Sequence, residues 1–499
     1  MANSIFETKS KVMEICLRLL TFNAPHSGFS DPPRFGDFQA HRHWMYLTNS
    51  LPIEEWYTWN KSHTYRNTTA EQWVLDYPPI TAYAHKLYGA NLPELYSDHG
   101  NQEDLLVVRM RFFILIIDIF LLILIYKCRA FSNARKLDIS FLLCHPMLLL
   151  VDYIHYQPNN LMFFFYVGSI YLFAKSLHNV NFAILGTCSF IFCIASKQMA
   201  LVYAPVIGLA YLSLCLKQSS LFLKLSLIIK LAFAVVFAIS ICILPFTLNY
   251  EDKWDGIYKQ SLAILTRIFP IHRGLYEDKL GNFWCISDVM FKWRIRFDEA
   301  FLAKICTFVC LLFTLPVGLK VFSLVQRSRN PNFIFNQLFL STCITSFIGF
   351  LFGYHVHEKT ILLPIFSLLM YFMDKMSLTL DTTNYCIYKF LVVSSFNIFP
   401  LVVLDDSVHY FVALHLIWHA AYKPEILLIR NKTIIDVVYS PVLYSFLAIL
   451  QAYPIVVVER YPFLFNLFIY AWCFVGNCVI LAVLLNLQFR QKSEKDKVN

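Results

Sequence analysis

Apolar stretches of about 20 residues recur between residues 106 and 487, and each is long enough to cross the hydrocarbon core of a bilayer. Hydrophobic residues fill 58% of the 499 positions and charged residues only 15%, against roughly 25% charged residues in soluble domains. Too few polar side chains remain to cover a globule in water. The composition therefore predicts an all-α integral membrane protein whose solvent is the bilayer.

Hydropathy windows predict where the chain crosses the membrane. The stronger candidate spans lie at 106–126, 139–151, 161–175, 180–196, 200–216, 225–247, 301–324, 333–353, 360–374, 387–404, 408–422, 434–457 and 463–487. A weaker candidate at 8–22 is interrupted by Glu14 and Arg18, and no signal-peptide cleavage pattern is present. We predict one domain over residues 1–499 with about 14 transmembrane helices, within a range of about 11 to 14. Asp118, in the middle of a span, is predicted to pair inside the bundle.

Lysine and arginine predict the orientation of the bundle. They concentrate in the short loops 127–137, 217–224, 325–332 and 423–433 and in the C-terminal tail. By the positive-inside rule these segments and both termini are cytosolic, and the long loops 23–105 and 248–300 lie on the opposite side. This topology explains the net charge of +9 better than a nucleic-acid partner does.

The opposite side is predicted to be the lumen of the secretory pathway. Asn60 and Asn67 begin glycosylation triplets in the first long loop. The tail KDKVN resembles a cytosolic dilysine signal for retention in the endoplasmic reticulum, although an ordinary basic tail explains it equally well. Of the 14 cysteines, only Cys285 falls in a long lumenal loop, so we expect no disulfide framework.

Five clusters of polar residues fall at lumenal span edges or in lumenal loops. They are FGDFQAHRHWM (35–45), LDYPPITAY (75–83), VDYIHYQPNN (151–160), RIFPIHRGLYEDKLGNFWC (267–285) and GYHVHEKTILLP (353–364). Ionisable groups at membrane depth are costly and are usually paired or functional. Five clusters on one face predict a single polar cavity near the lumenal interface, with short amphipathic helices in the lumenal loops.

Each cluster also has a simpler explanation. Asp37 and Arg42 can form a surface ion pair, and the tandem prolines after Asp76 can form an interfacial turn. His355 and His357 can be a metal pair, but no cysteine lies nearby and no helical histidine spacing is present. We therefore predict no metal and no other cofactor.

The residue types suit transfer of a group from a lipid-linked phosphate. The phosphate needs cations at the membrane edge, and an acceptor hydroxyl needs a carboxylate as its base. Aromatic rings offer faces on which a glycan stacks. The candidate cations are Lys197, Arg273 and Lys359, and the candidate rings are Trp44, Trp73, Tyr77 and Trp284.

The five clusters, with LPIEEWY at 51–57, resemble in their order the α-1,3-glucosyltransferases of the endoplasmic reticulum that use dolichyl-phosphate glucose. The resemblance covers about residues 30 to 370, and the C-terminal third is similar only in hydropathy. It implies a GT-C fold, a catalytic first lumenal loop and an inverting transfer to a dolichyl-pyrophosphate-linked oligosaccharide during N-glycan precursor assembly. The active site would be lumenal, in the endoplasmic reticulum membrane.

The resemblance also implies residue roles. Asp37 matches the catalytic aspartate and would be the general base, because inversion in one displacement needs a single base opposite the leaving group. His355, His357, Glu358 and Lys359 are the first candidates for contact with the donor, followed by Arg273 and Lys197. Residues expected to shape the site or hold the acceptor are His41, Arg42, His43, Trp44, Asp76, Tyr77, Glu277, Asp278 and Trp284.

Two branches of the family, for the first and the second glucose, remain open. The block GLYEDKLGNFW favours the first-glucose branch, whose acceptor is Man9GlcNAc2-PP-dolichol, whereas HYQ and VYAP favour the second. Because the longer block has the greater weight, we predict the first-glucose branch, with the second as the alternative. Three positions depart from the family pattern, namely Gln39 in place of glutamate, Pro158 in place of tyrosine, and Ala200 where the first-glucose branch tends to carry glutamate.

Two functions of other classes compete with this interpretation. A transporter would use glycine- or proline-broken helices and internal repeats, but this chain has 14 glycines and no repeat. A non-catalytic scaffold would explain Gln39 and Pro158. Replacing Asp37 separates these functions, because only an enzyme would lose transfer.

Overall fold

The computed structural model describes residues 13–29, 36–58, 73–92, 103–131, 139, 143–269, 274–276, 279–373, 382–421, 434–452, 461 and 463–490. Over these ranges the regular structure is helical, and an isolated parallel β-bridge joins Tyr276 to Val356. The protein is an all-α, multi-pass membrane protein, as its hydropathy predicts.

Helices run through both halves of the described chain. In the first half the structure has helix over 13–20 and the α-helices Asp37–Ser50, Pro79–Gly89, Glu103–Cys128, Pro146–Leu148, Asn160–Ser176, Phe182–Ser196, Ala204–Leu216 and Leu221–Ile243. The α-helices Lys253–Ile268, Phe283–Phe291, Trp293–Arg296, Glu299–Arg327, Pro331–Phe352, Leu362–Phe372, Thr382–Val393, Phe399–Leu404, Val408–Ala421, Ile434–Val438, Pro441–Ala452 and Leu464–Arg490 complete the series. Short 3-10 helices occupy Ile53–Glu55, Arg129–Phe131, Gln198–Tyr203, Leu244–Thr247, Glu358–Ile361 and Ser394–Ile398, and Leu149–Ile154 is a π-helix.

Seven helical stretches among the described residues are long and apolar enough to cross a membrane. They are Gln198–Leu216, Leu221–Thr247, Glu299–Arg327, Pro331–Phe352, Thr382–Leu404, Ile434–Ala452 and Leu464–Arg490. Glu103–Cys128 has the length but carries Arg109, Arg111 and Asp118. Phe182–Ser196 is apolar but has only 15 residues.

The predicted span 139–151 is not a continuous helix. Its described part contains the single turn Pro146–Leu148 and runs into the π-helix Leu149–Ile154, with Val151 and Asp152 buried. A segment enclosed by other helices does not face lipid, so it needs neither the length nor the regularity of a lipid-exposed span.

The helix Pro331–Phe352 forms the centre of the core. Asn330 caps its N-terminus by accepting a hydrogen bond from the Phe333 amide at 3.2 Å, and Pro331 supplies a preset φ at the first turn. The most apolar part of this helix is entirely buried. It ends at Phe352 with Gly353 as its C-cap, so the core itself fixes where the polar segment 353–359 begins.

Asp118 pairs inside the bundle, as predicted. The Arg18 guanidinium Nε lies 2.7 Å from Asp118 Oδ2, and Tyr153 donates to the same oxygen at 2.9 Å. Arg18 thus connects the helix over 13–20 to the helix Glu103–Cys128. A paired arginine explains why a charged residue is tolerated in this helix, which forms the described part of the weak candidate span at 8–22.

The helices Asp37–Ser50 and Pro79–Gly89 of the first long loop pack against each other and onto the bundle. A Cβ atom at Gly89 would lie 3.1 Å from the Met45 Cβ, so glycine permits their close approach. The Thr81 hydroxyl donates to the Ser196 carbonyl at 2.6 Å. These contacts hold the loop over the end of the helix Phe182–Ser196.

Candidate active site

The first turn of the helix Asp37–Ser50 presents the predicted base. Gly36 is in extended conformation at the N-cap, and the Phe38 amide donates to the Ser27 hydroxyl at 2.8 Å. Phe38 is fully buried, so the turn is anchored on one side. The Asp37 side chain remains 29% exposed and lines a cavity.

Three donor groups approach one oxygen of Asp37. Its Oδ2 accepts hydrogen bonds from Gln157 Nε2 at 2.7 Å and from Lys359 Nζ at 2.9 Å. The His155 Nε2 lies 3.3 Å from the same atom. Among the described residues none donates to Oδ1, which leaves that oxygen to accept a hydrogen bond from a hydroxyl in the cavity.

The segment that carries Lys359 is held by a segment of the second long loop. The His355 amide donates to the Leu275 carbonyl at 2.8 Å, beside the bridge between Tyr276 and Val356. His355 has φ of 53°, a left-handed conformation that a residue with a side chain rarely adopts. The 3-10 turn Glu358–Ile361 then directs Lys359 towards Asp37. Polar clusters far apart in the sequence therefore meet, as predicted.

The ion pair between Asp37 and Lys359 keeps both groups charged. Burial raises the pKa of Asp37, but the Lys359 charge and the His155 hydrogen bond lower it, so that it lies well below its usual 3.8. Burial lowers the pKa of Lys359, but Asp37 and Glu358 raise it above its usual 10.5. Asp37 is therefore ionised at neutral pH.

Lys197 lines the same cavity as this ion pair. Its Nζ donates to Asn159 Oδ1, and Asn159 in turn donates to Asp152 Oδ1 at 2.7 Å. The ammonium also lies 5.4 Å from the Tyr77 ring centroid, a cation–π contact. Burial lowers the pKa of Lys197 to about 7, against an opposing effect of Asp37.

The predicted histidines of the first loop are not cations. Burial, with the neighbouring His85, holds the pKa of His41 well below its usual value, and burial lowers the pKa of His43 to about 4. His41 Nδ1 lies 3.0 Å from His85 Nε2, and His43 Nδ1 lies 2.8 Å from the Trp73 carbonyl. They brace the loop as neutral rings instead of attracting an anion.

A cavity of about 920 Å³ joins these groups to an apolar surface. Its polar end contains Asp37, Asp76, Tyr77, His155, Lys197, His355, His357 and Lys359. Its other end runs between Met199, Leu201 and Val202 on one side and Ala303, Cys310 and Leu311 on the other. Leu201 and Leu311 are about half exposed, at 48% and 54%, so this end opens to the lipid.

The structure does not bring every predicted residue to the cavity. Trp284 is 2% exposed, and its indole N–H donates to the Phe352 carbonyl at 2.9 Å, so it supports the wall from behind. Arg42 is buried, and its Nη1 donates to Gln39 Oε1 at 3.5 Å. Trp44 lines the cavity and donates to the Val74 carbonyl. The predictions for Asn60, Asn67, Arg273, Glu277 and Asp278 lie outside the described residues.

Three residues of the site were missed by the sequence analysis. His155 and Gln157 stand in the quoted HYQ motif but were assigned no role, although both contact Asp37. Asp405 directly follows the helix Phe399–Leu404, in the C-terminal third of the chain, where the sequence motifs mark no functional residue, and it contacts His155. The one available signal was the charged pair Asp405 and Asp406 directly after an apolar run.

Known proteins are similar in sequence to this chain over most of its length. The profile of the ALG6, ALG8 glycosyltransferase family matches residues 14–484. An Arabidopsis thaliana protein named "Probable dolichyl pyrophosphate Man9GlcNAc2 alpha-1,3-glucosyltransferase" is 30% identical over 482 residues, covering 90% of this chain and 83% of its own. A Schizosaccharomyces pombe protein of the same name is 35% identical over 361 residues, covering 68% and 64%. A Gallus gallus protein, named without "Probable", is 30% identical over 411 residues, covering 80% and 74%.

Proposed function

The chain belongs to the ALG6, ALG8 glycosyltransferase family, and we propose that it transfers glucose from dolichyl-phosphate glucose to a mannose of Man9GlcNAc2-PP-dolichol. The names of the relatives specify this acceptor and an α-1,3 linkage. The observation that carries the proposal is the Asp37–Lys359 pair at the polar end of a cavity that also opens to lipid.

The two ends of the cavity suit the two substrates. The apolar end at Leu201 and Leu311 would hold the first isoprenoid units of the donor, because its walls are exposed to the bilayer. The polar end would hold the donor phosphate, with Lys359, His355 and His357 as its first contacts and Lys197 as a further cation. Arg273 is proposed to join them on the strength of the family resemblance alone.

The reaction balances with one carboxylate. Asp37 Oδ1 takes the proton of the acceptor hydroxyl, and the hydroxyl oxygen forms a bond to the glucose anomeric carbon. The bond from that carbon to the phosphate oxygen breaks, and dolichyl phosphate leaves with the electron pair. Attack opposite the leaving group inverts a β-linked donor to an α-linked product. A phosphate leaves without a general acid, so the site needs no second carboxylic acid and, we propose, no metal.

We further propose the topology in which this chemistry would operate. The bundle would have the GT-C fold with 14 spans, its termini in the cytosol and Asp37 in the lumen of the endoplasmic reticulum. Lys217 and Arg327, at the ends of their helices, would lie on the cytosolic side, as the positive-inside rule requires. Asp76, Tyr77 and Trp44 would contact the acceptor glycan.

The test is transfer by the purified protein in nanodiscs. Dolichyl-phosphate glucose is supplied with lipid-linked glycans carrying either no glucose or one glucose. Product from the glucose-free acceptor alone supports the proposal, whereas product from the one-glucose acceptor alone would assign the chain to the second-glucose branch. Asp37→Asn should lower kcat by about 10²- to 10⁴-fold, the usual range for a general base.

A matched control is Asp255→Asn, since Asp255 is an exposed lumenal-loop carboxylate whose ion-pair partner is Lys259. It should transfer at the wild-type rate. Thermal unfolding of both variants separates lost chemistry from lost folding. If the Asp37→Asn variant transferred glucose at the wild-type rate, Asp37 would not be the base. If the wild type transferred glucose to neither acceptor, a transporter or a scaffold would be favoured.

A further inference from the structure

We infer that Asp405 is a positioning residue for the transfer, and that it acts through His155 on the pair formed by Asp37 and Lys359. This inference rests on the proposed function. It concerns a carboxylate in the C-terminal third of the chain, a region that the family profile covers but in which the sequence motifs mark no functional residue.

The contact is short and enclosed. Asp405 Oδ2 lies 2.6 Å from His155 Nδ1, and each of these side chains is 6% exposed. Burying a carboxylate and an imidazole together is costly unless each satisfies the other. On the far side of the ring, His155 Nε2 lies 3.3 Å from Asp37 Oδ2 and 3.2 Å from Lys359 Nζ. The imidazole therefore connects Asp405 directly to the predicted base.

Both partners come from backbone turns of unusual conformation. His155 follows the π-helix Leu149–Ile154, and its amide donates to the Leu150 carbonyl at 2.8 Å. The next residue, Tyr156, has φ of 66°. Such π-helical turns and left-handed residues are costly, and they persist where the surrounding structure holds them.

The turn that carries Asp405 is equally constrained. Asp405 caps the helix Phe399–Leu404, and its amide donates to the Leu401 carbonyl at 2.9 Å. Asp406 then has φ of 52°, and the Ser407 amide returns to the Val402 carbonyl at 3.0 Å. Two left-handed residues thus flank the Asp405–His155 contact, one on each chain segment.

The charge of Asp405 decides what His155 offers to Asp37. Burial lowers the pKa of His155, but Asp405, with help from the Asp37 hydrogen bond, raises it to about 9 in spite of Lys359. The ring is therefore an imidazolium at neutral pH, and its Nε2–H donates to Asp37 Oδ2. Among the described residues, the ionisable groups that face the ring are Asp405 on one side and Asp37 and Lys359 on the other. Glu358 Oε1 lies 3.7 Å from Lys359 Nζ.

This arrangement assigns the two oxygens of Asp37 to different tasks. His155, Lys359 and Gln157 all act on Oδ2, so the carboxylate cannot rotate freely and Oδ1 faces the acceptor. Without the Asp405 charge the imidazole would lose its proton near neutral pH. Its Nε2 would then accept a hydrogen bond from Lys359 and draw the ammonium away from Asp37.

The first test compares Asp405→Asn with Asp406→Asn in the nanodisc transfer assay. Asp406 is its exposed neighbour, and the left-handed conformation there accepts asparagine readily, so Asp406→Asn should match the wild type. Asp405→Asn should lower kcat about 10- to 100-fold, as loss of a supporting partner of a site residue does. The KM values for donor and acceptor should stay within about twofold.

The pH profile distinguishes positioning from structural support. In the wild type the imidazolium is lost as the pH rises through about 9, so kcat should fall there. In Asp405→Asn the alkaline limb should move to lower pH by about one to three units. Asp405→Glu, which keeps the charge, should restore most of that shift. An Asp405→Asn variant with an unshifted limb would overturn the inference, whether its kcat were normal or uniformly reduced.

Two further measurements cover variants that fold poorly. In His155→Gln, adding Asp405→Asn should cause no further loss of kcat, because both changes remove the same interaction; additive losses would contradict the inference. The ¹⁵N spectrum of the His155 ring, assigned by its disappearance in His155→Gln, should show an imidazolium at pH 7 in the wild type and a neutral ring in Asp405→Asn. This spectrum needs no activity, so it tests Asp405 even if the wild type transfers nothing and the proposed function fails.

Discussion

At the scale of single residues, the site depends on how burial changes the charge of each basic group. Lys359 remains an ammonium because Asp37 and Glu358 surround it. His41 and His43 are neutral because burial outweighs their partners. A count of basic residues in the sequence therefore overstates the positive charge that a donor phosphate would meet. In the described part of the cavity, Lys359, Lys197 and Arg267 provide that charge together with His155.

Lys197 provides a prediction about pH. Burial lowers its pKa to about 7, so its positive charge is present at lower pH and disappears as the pH rises through that value. If Lys197 helps to bind the phosphate, kcat/KM for dolichyl-phosphate glucose should fall between about pH 6 and pH 8. Arginine stays charged over this range, so Lys197→Arg should flatten the fall.

Lys197→Met is the matched neutral variant. Its kcat/KM for the donor should be low at every pH, and kcat/KM for the acceptor should change little. A profile for Lys197→Arg that still falls near pH 7 would assign the titration to another group.

At the scale of elements, two helices of the bundle form the apolar end of the cavity, which extends between them as an arm. Ala303 and Leu311 lie on the helix Glu299–Arg327, opposite Leu201 and Val202. Small side chains such as Ala303 keep the arm open. Its place between two lipid-exposed helices allows a lipid chain to enter from the side.

Narrowing this arm should weaken donor binding selectively. Ala303→Leu adds three carbon atoms to the wall, so KM for dolichyl-phosphate glucose should rise about 10-fold or more while KM for the acceptor stays constant. Ala300→Leu is the control, since Ala300 is exposed on the same helix and does not line the cavity. Equal donor KM values in the two variants would exclude this arm as the lipid site.

The elements also show what the sequence could predict. Long lipid-facing helices such as Glu299–Arg327 have a clear signal, because every exposed residue must be apolar. The π-helix Leu149–Ile154 gave no such signal, because an enclosed segment obeys only the shape of its neighbours. Hydropathy identifies the apolar run at 139–151 but carries no information on its backbone geometry, so it predicts an ordinary helical span there.

At the scale of the whole molecule, the site is assembled from distant parts of the chain. Asp37 and Lys359 are 322 positions apart, and His155 and Asp405 are 250 apart. The sequence indicates that the polar clusters converge, because the predicted topology places them on one face. It could not indicate which side chains touch, since a pair such as His155 and Asp405 depends on packing between helices and leaves no local pattern.

The ion pair between Asp37 and Lys359 has a consequence for the order of events. A Lys359 ammonium that contacts a bound phosphate donates less fully to the Asp37 carboxylate. Occupancy of the site by one lipid therefore changes the affinity for the other. Such coupling is reciprocal, and typical values lie between about 5- and 150-fold. Dolichyl phosphate should therefore lower the Kd of Man9GlcNAc2-PP-dolichol by at least about fivefold, as measured by binding in nanodiscs. The effect should vanish in Lys359→Gln, and identical Kd values with and without dolichyl phosphate in the wild type would show that the two lipids bind independently.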